Sequence, residues 1–98
     1  MILYEVNIQI KSEVYLPFFE WLETHVQEML ALPGFSKANI FEDRPKAGDK
    51  QLVIHYYLEN QKAMDHYIQE LAPKMRADGV TKFETSFQIN RRILKYLQ

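Results

Sequence analysis

The sequence has no cysteine, only three glycines, no excess of charge and no long apolar run. The absence of cysteine excludes disulfides, thiolate metal sites and cysteine nucleophiles. No segment approaches the roughly 20 apolar residues that a membrane-spanning helix needs. Twelve Lys and Arg residues stand against thirteen Asp and Glu, so the chain lacks the basic surface that binds nucleic acid or anionic membranes. We therefore expect a cytoplasmic protein with neither kind of partner.

Sequence motifs for the common catalytic and cofactor chemistries are also missing. There is no glycine-rich phosphate loop, no Gly-x-Ser-x-Gly nucleophile motif and no assignable Ser-His-Asp set. The three histidines, His25, His55 and His66, do not fall at the His-x-x-x-His or His-Glu-x-x-His spacings of helical zinc sites. We therefore expect no metal site and no cofactor.

What is present is the composition of a small globular domain, with 98 residues, 47% of them hydrophobic and 13% aromatic. This length predicts a single domain over residues 1–98. Residues 2–10 alternate between apolar and polar side chains, which predicts a strand. Apolar residues then follow helical spacing from Pro17 to Leu30, and Pro33-Gly34 is expected to end this first helix.

The second half of the chain continues this mixture of alternating and helical patterns. We predict, in order, a strand at 35–42, a hairpin loop at 43–50, a strand at 51–59, a helix capped by Asn60 and closed by 77–79, and a strand at 81–90. The buried stripe of the second helix is predicted at Ala63, Met64, Tyr67, Ile68, Leu71 and Met75. Unknotted, right-handed connections then favour an α+β fold of order β-α-β-β-α-β. Its four-stranded antiparallel sheet has strand order 4-1-3-2 and carries both helices on one face.

The other face of this predicted sheet must meet water, a ligand or a partner. It is rich in amide and aromatic groups and poor in lysine, as protein interfaces and small-molecule sites are. We predict a homodimer that stacks two such open faces into a closed α+β barrel, with the apolar C-terminal tail at 93–97 crossing to the partner. The fourth strand is expected to add Glu84, Ser86, Gln88 and Asn90 to the face. The candidate ligand-binding residues on it are Asn7, Asn39, Phe41, His55 and Tyr57.

The histidines have both structural and functional interpretations. His55 is a candidate general base beside Asn7 and Tyr57, but a histidine that only hydrogen-bonds a neighbour is the favoured interpretation. His25 lies on the apolar stripe of the first helix and is interpreted as a packing residue. His66 lies between Asp65 and Tyr67 and is interpreted as solvated.

Two further groups of residues are candidates for a site. Trp21, with Phe18, Phe19 and Met29, could line the mouth of a cavity, although aromatic residues at helical spacing more often form the core. Arg91, Arg92 and Lys95 could hold an anion, although a solvated tail is the favoured interpretation. Neither group therefore displaces the open face as the predicted site.

Three stretches resemble a family of short bacterial proteins of unknown function: MILYEVNIQI, EMLALPGF and the closing NRRILKYLQ. That family is similar to the ferredoxin-like, dimeric α+β-barrel superfamily. The superfamily includes cofactor-free antibiotic-biosynthesis monooxygenases, haem-degrading monooxygenases and stress-response proteins. The resemblance covers nearly the whole chain, but its shared motifs are structural, so it implies the fold and the dimer rather than a reaction.

The haem-degrading members resemble this chain at two positions and differ at a third. Asn7 matches an Asn near the end of their first strand, and Tyr57 matches an aromatic residue on their third strand, where Trp is usual. Their haem-ligating histidine has no counterpart, because positions 74–77 read Lys-Met-Arg-Ala and His66 lies about two turns earlier. The resemblance therefore does not extend to a haem ligand.

Three functions remain open at this point. The leading hypothesis is an uncharacterised cytoplasmic homodimer that binds a small molecule. The alternative is a cofactor-independent monooxygenase-like enzyme, in which Asn7, His55 and Tyr57 orient an aromatic substrate and abstract a proton. The third hypothesis is a structural interaction domain, in which side chains would fill the space between the two stacked sheets of the dimer.

Overall fold

The computed structural model describes residues 1–83 and 86–98 and consists of one sheet with helices on one of its faces. The strands pair antiparallel in the order β2-β3-β1-β4. This order is the predicted 4-1-3-2 arrangement, and the predicted α+β fold is confirmed. The elements are β1 (Ile2–Ile10), a 3-10 turn (Ser12–Val14), α1 (Tyr15–Leu30), β2 (Phe35–Lys46), β3 (Asp49–Leu58), α2 (Gln61–His66), a π-helical turn (Tyr67–Leu71), α3 (Ala72–Phe83) and β4 (Phe87–Lys95).

The core lies between the helices and the inner face of the two central strands. Because successive side chains of a strand point to opposite faces, β1 and β3 each bury every second residue. These side chains pack against Phe18, Leu22, Val26 and Met29 of α1 and against Met64 and Tyr67 of the second helical segment. The buried strand residues are Ile2, Tyr4, Val6, Ile8, Ile10, Leu52, Ile54, Tyr56 and Leu58.

The hairpin between β2 and β3 is tighter than the sequence predicts. The predicted loop at 43–50 is wrong, since the ladder continues to a Lys46–Asp49 pair. Ala47 and Gly48 alone make the turn, with φ of 53° and 83°, as in the two-residue turns that suit twisted hairpins. The charged residues and Pro45 indicated a loop, but β2 is an edge strand, where proline and charge are tolerated.

The end of the second helical segment is also misplaced by the sequence pattern. Gly79 does not close the helix, because α3 continues to Phe83. A Cβ on Gly79 would lie only 2.8 Å from Cη2 of Trp21. The glycine therefore lets α3 approach α1 closely, and a close approach rather than a helix end explains its presence.

The fourth strand begins later and runs further than predicted. Its predicted start at 81 is wrong, because Phe83 belongs to α3 and packs edge-on against Phe18 at a centroid distance of 5.1 Å. Predicted positions Glu84 and Thr85 lie outside the described residues. β4 then continues from Phe87 into the tail as far as Lys95. The first part of the tail is thus strand.

A π-helical turn shifts the buried stripe of the second helical segment by one residue. The sequence predicts a step of four from Tyr67 to Leu71, but the next fully buried residue is Ala72, five positions on. Ile68, which the pattern assigns to the stripe, is 40% exposed. The wider turn ends two residues before Pro73. In a regular α-helix the proline ring would clash with a backbone carbonyl of the preceding turn.

The joint at Pro33-Gly34 positions α2 as well as ending α1. Gly34 has φ of 82°, and its carbonyl accepts a hydrogen bond of 2.9 Å from the N–H of Glu59. A Cβ added at Gly34 would overlap the Cβ of Ala63 in α2. Only glycine meets both the left-handed conformation and this close approach.

Replacing Gly34 by Ala is expected to lower the free energy of unfolding by about 2–4 kcal/mol, because strain and overlap with Ala63 add together. Gly48→Ala is the matched control. Its φ is +83° and no described residue lies within 4 Å of an added Cβ, so only the strain of about 1 kcal/mol applies. Urea unfolding followed by Trp21 fluorescence measures both variants, and equal losses would contradict the close packing at Gly34.

Candidate functional site

The five predicted site residues lie on the open face of the sheet, opposite the helices. Cross-strand partners share a face, and the register pairs Asn39 with His55 and both Phe41 and Asn7 with Val53. Tyr57 follows His55 by two residues on β3 and therefore shares its face. The structure thus brings all five residues onto one surface. The ring of Phe41 packs edge-on against that of His55 at 5.1 Å.

Glu5 lies at the centre of the open face and joins three of its neighbours. One carboxylate oxygen contacts Nε2 of His55 at 3.0 Å, and the other accepts hydrogen bonds from Nε of Arg92 at 2.7 Å and Nδ2 of Asn7 at 3.0 Å. Glu5 is only 8% exposed. The hydrogen bonds from Arg92 and Asn7 outweigh burial and lower the pKa of Glu5 from 4.5 to about 2. Its charge is therefore held and neutralised within the sheet.

The alternation of β1 puts Glu5 on the same face as Asn7, but sequence reasoning did not identify it as the centre of a network. The network depends on register, because β1 pairs Glu5 with His55 on one side and with Arg92 on the other. The alternation of β1 and β3 fixes the faces but leaves the pairing of individual residues free. The sequence pattern assigned Arg92 to a tail, so its position beside Glu5 could not be predicted.

The rest of the open face has an apolar end formed by the chain termini. Leu3, Tyr57 and Leu94 line a shallow groove together with Met1 and the tail. Exposed apolar side chains are concentrated on this face and the adjoining tail, where Phe41 is 48% exposed and Tyr96 67% exposed. This combination of a neutralised polar centre and exposed apolar residues is typical of a surface that another protein covers.

A separate cavity of about 240 Å³ lies on the other side of the sheet, between α1, α3 and the inner faces of the strands. None of the five predicted site residues lines it. Phe18, Trp21 and Met29, which the sequence offered as a cavity lining, do line it, whereas Phe19 does not. Its walls also include Tyr4, Val6, Ile8, Leu22, His25, Ile54, Tyr56, Tyr67, Met75, Arg76, Gly79, Val80, Phe87, Ile89 and Arg91.

Arg76 adds a partly buried cationic group to the lining of the cavity. Its Nη2 donates a hydrogen bond of 3.1 Å to the hydroxyl of Tyr4. Its Nε is buried and has no hydrogen-bond partner among the described residues. Burial raises the pKa of the Tyr67 phenol, which is the other hydroxyl near the guanidinium, so that phenol stays neutral. Arg76 therefore places a positive charge in the wall of a largely apolar cavity.

Trp21 and His25 form the α1 wall of the cavity. The two rings stack at a centroid distance of 4.6 Å, and the indole N–H donates a hydrogen bond of 3.0 Å to Asp78 of α3. Burial lowers the pKa of His25, so the imidazole is neutral at pH 7. The packing role predicted for His25 fits this stacked position, which also gives it a place in the cavity wall.

The described ranges 1–83 and 86–98 contain no group of three His, Asp or Glu side chains positioned to hold a metal ion. Over the same ranges, no helix is long and apolar enough to cross a membrane. His66 is exposed at the end of α2 and belongs to neither the open face nor the cavity.

Comparison with known proteins identifies a family and a fold. The family model described as domain of unknown function (DUF4286) matches residues 1–97. No curated protein matches the chain. Similar solved structures include a candidate antibiotic biosynthesis monooxygenase from Deinococcus radiodurans (15% identity, 100% of this chain and 94% of that chain, TM-score 0.73). They also include SnoaB, a cofactor-independent oxygenase from Streptomyces nogalater (13% identity, 99% of this chain and 94% of that chain, TM-score 0.73).

The same fold also occurs in a designed protein. The de novo designed protein Foldit4 matches with 9% identity, covers 98% of each chain and has a TM-score of 0.63. At such low identities these likenesses establish the ferredoxin-like fold of the chain and not an activity.

Glu5→Gln is expected to lower the free energy of unfolding at pH 7 by about 1–2 kcal/mol, because the amide loses the charge that Arg92 pairs with. The stability from Glu5 is present above its unfolded pKa of 4.5 and is lost as the pH falls toward about 2. The difference from wild type should therefore vanish between about pH 5 and pH 2. Urea unfolding across this range measures it. Glu42→Gln is the control, since Glu42 pairs only with Lys50 at the surface, and a pH-independent effect of Glu5→Gln would contradict the assignment.

Proposed function

We propose that this chain, which belongs to the DUF4286 family, is a homodimeric protein that binds a small aromatic molecule in the cavity between its helices and its sheet. The observation that carries the proposal is the cavity of about 240 Å³ with its mainly apolar and aromatic lining. An apolar cavity of about 150 Å³ accommodates benzene, so this one has room for a ring with substituents. The cysteine-free, charge-balanced composition supports a cytoplasmic location.

The cavity is a better ligand site than the open face because the charged group at the centre of the open face is already paired within the sheet. On the open face, both carboxylate oxygens of Glu5 are occupied by His55, Asn7 and Arg92. In the cavity, the guanidinium of Arg76 lies in a largely apolar wall, and no ion pair among the described residues includes it. Small-molecule sites combine apolar walls with a few polar groups that fix orientation, and the cavity has that combination.

A second copy of the chain is the occupant we propose for the open face. The molecule measures 38 × 30 × 18 Å, and its broad face exceeds the roughly 800 Å² per partner that a standard interface needs. Burying a lone carboxylate at such an interface would be costly, but Glu5 is already paired with Arg92 and His55. Exposed Phe41, Leu94 and Tyr96 provide the apolar area that drives association. Stacking of two open faces, with the tails crossing, would close an α+β barrel.

The monooxygenase-like alternative has weaker support than binding. Its argument is the fold, which a designed protein shares. The residues it would use, Asn7, His55 and Tyr57, lie on the open face and not around the cavity. We therefore propose no reaction.

Val80→Phe is expected to weaken the binding of neutral aromatic probes by about ten-fold, because the larger ring would fill the cavity rim. Val80 lines the cavity and is 50% exposed, so the fold should tolerate the change. Titration of wild-type protein with indole and phenol, followed by amide and indole NMR shifts, measures the affinity. Leu16→Phe is the control, since Leu16 is 75% exposed and lies outside the cavity. No shifts in the wild type with any neutral ring would refute the cavity as a ligand site.

Phe41→Lys is expected to convert the dimer to a monomer at micromolar concentration, because it places a charge within the proposed interface. Light scattering after size exclusion should give twice the 11.7 kDa chain mass for the wild type and the single mass for the variant. Leu16→Lys on α1 removes an exposed apolar residue from the opposite side and should leave the dimer intact. A wild-type mass of one chain, or dissociation by Leu16→Lys alone, would refute the open-face dimer.

A further inference from the structure

We infer that His25 determines the specificity of the cavity, where its imidazole accepts a hydrogen bond from a ring hydroxyl, so that the ligand class is small neutral phenols. This inference rests on the proposed ligand cavity and adds the chemical group that the cavity selects. It is carried by the placement of the imidazole in a wall that is otherwise largely apolar and aromatic.

The first step of the argument is that a ligand can approach the edge of the imidazole. The ring of His25 is nearly parallel to the indole of Trp21, with 17° between their planes and 4.6 Å between their centroids. Stacking covers one face of the imidazole, whereas both nitrogens lie on its edge, in the plane of the ring. His25 is only partly buried and lines the cavity. A molecule in the cavity can therefore reach this edge.

The second step is that the protein leaves the hydrogen-bonding capacity of the imidazole unused. Within the part of the chain that the structure describes, no hydrogen bond or ion pair includes the side chain of His25. Its neighbours in the wall are engaged, because the indole N–H of Trp21 donates to Asp78. Likewise, Nη2 of Arg76 donates to the hydroxyl of Tyr4. The imidazole is thus available to a ligand.

The third step is that the imidazole provides an acceptor. Burial lowers the pKa of His25, and the charges of Glu28 and Asp78 oppose this effect only in part. The imidazole is therefore neutral at pH 7 and has one N–H and one nitrogen lone pair. The lone pair can accept a hydrogen bond, whereas the guanidinium of Arg76 and the indole N–H of Trp21 are donors only. The cavity therefore favours a ligand that brings a donor to this wall.

The fourth step favours a ring hydroxyl as that donor. The cavity of about 240 Å³ exceeds the roughly 150 Å³ that accommodates benzene, so it has room for a ring with a small substituent. An ammonium group would lose its hydration in a largely apolar space. A phenol stays protonated at pH 7, since its usual pKa is about 10. It therefore brings a donor to His25 without bringing a charge.

The experiment compares phenol with toluene, which have nearly the same shape but differ in the donor, by NMR titration of the wild-type protein at pH 7. The resonance of the imidazole nitrogen that carries the lone pair should move when phenol binds, because a hydrogen bond changes its shielding. Toluene should move it much less.

A matched pair of variants tests the same contact through affinity. His25→Phe keeps a ring that stacks on Trp21 but removes the acceptor. In this variant the ratio of the phenol affinity to the toluene affinity should fall by about three- to ten-fold, as the loss of one neutral hydrogen bond implies. His66→Phe makes the same change at an exposed histidine outside the cavity and should leave the ratio unchanged.

The outcomes separate this inference from the proposed function. If both rings bind but the imidazole resonance does not distinguish them, or the ratio is unchanged in folded His25→Phe, the inference is overturned and the cavity remains a ligand site. If neither ring binds, both are overturned. If Arg76→Met lowers the ratio and His25→Phe does not, the hydroxyl contacts Arg76 and the inference is overturned. The imidazole resonance of the wild-type protein decides the matter even if a variant fails to fold.

Discussion

The two-residue alternation of β1 is the constraint on which the rest of the molecule depends. β1 is a central strand, paired on one edge with β3 and on the other with β4. Its neighbouring residues Tyr4 and Glu5 point to opposite faces of the sheet. Tyr4 contacts Arg76 on the helix side, and Glu5 contacts Arg92 on the open side. One peptide unit thus separates the proposed ligand cavity from the proposed dimer interface, and a one-residue slip of register would exchange them.

The parts of the fold that the sequence predicted are those governed by strong periodicity. The bounds of β1, the alternation of β3 and the cap at Asn60 all depend on local patterns, and all are confirmed. The wrong predictions concern residues whose local preference is overridden by tertiary contacts. Gly79 has the local signature of a helix end, but Trp21 of α1 determines its role. The residues at 43–50 have the local signature of a loop, but pairing across the hairpin extends the strands.

The cavity could not be predicted from the sequence for two physical reasons. The residues that define its polar end, Tyr4 and Arg76, are 72 positions apart in the chain and meet only through packing. The π-helical turn also shifts the buried stripe by one residue, so regular helical periodicity does not place Arg76 on the inner side of the helix. The open face could be predicted from the sequence, because strand alternation alone assigns Asn7, His55 and Tyr57 to one side of the sheet. Their role as site residues stays a prediction, since fold likeness to oxygenases carries no residue roles.

The π-helical turn at Tyr67–Leu71 sets which side of α3 faces the cavity. One extra residue in a helix rotates everything that follows by about 100°. The wide turn absorbs this extra residue, because it places Ala72 on the buried face five positions after Tyr67 instead of four. Closing the turn to a regular helix at the present chain length would rotate α3 about its own axis and carry Arg76 out of the cavity wall. The geometry of this short turn therefore determines which side chains of α3 line the cavity, and with them the polarity of its wall.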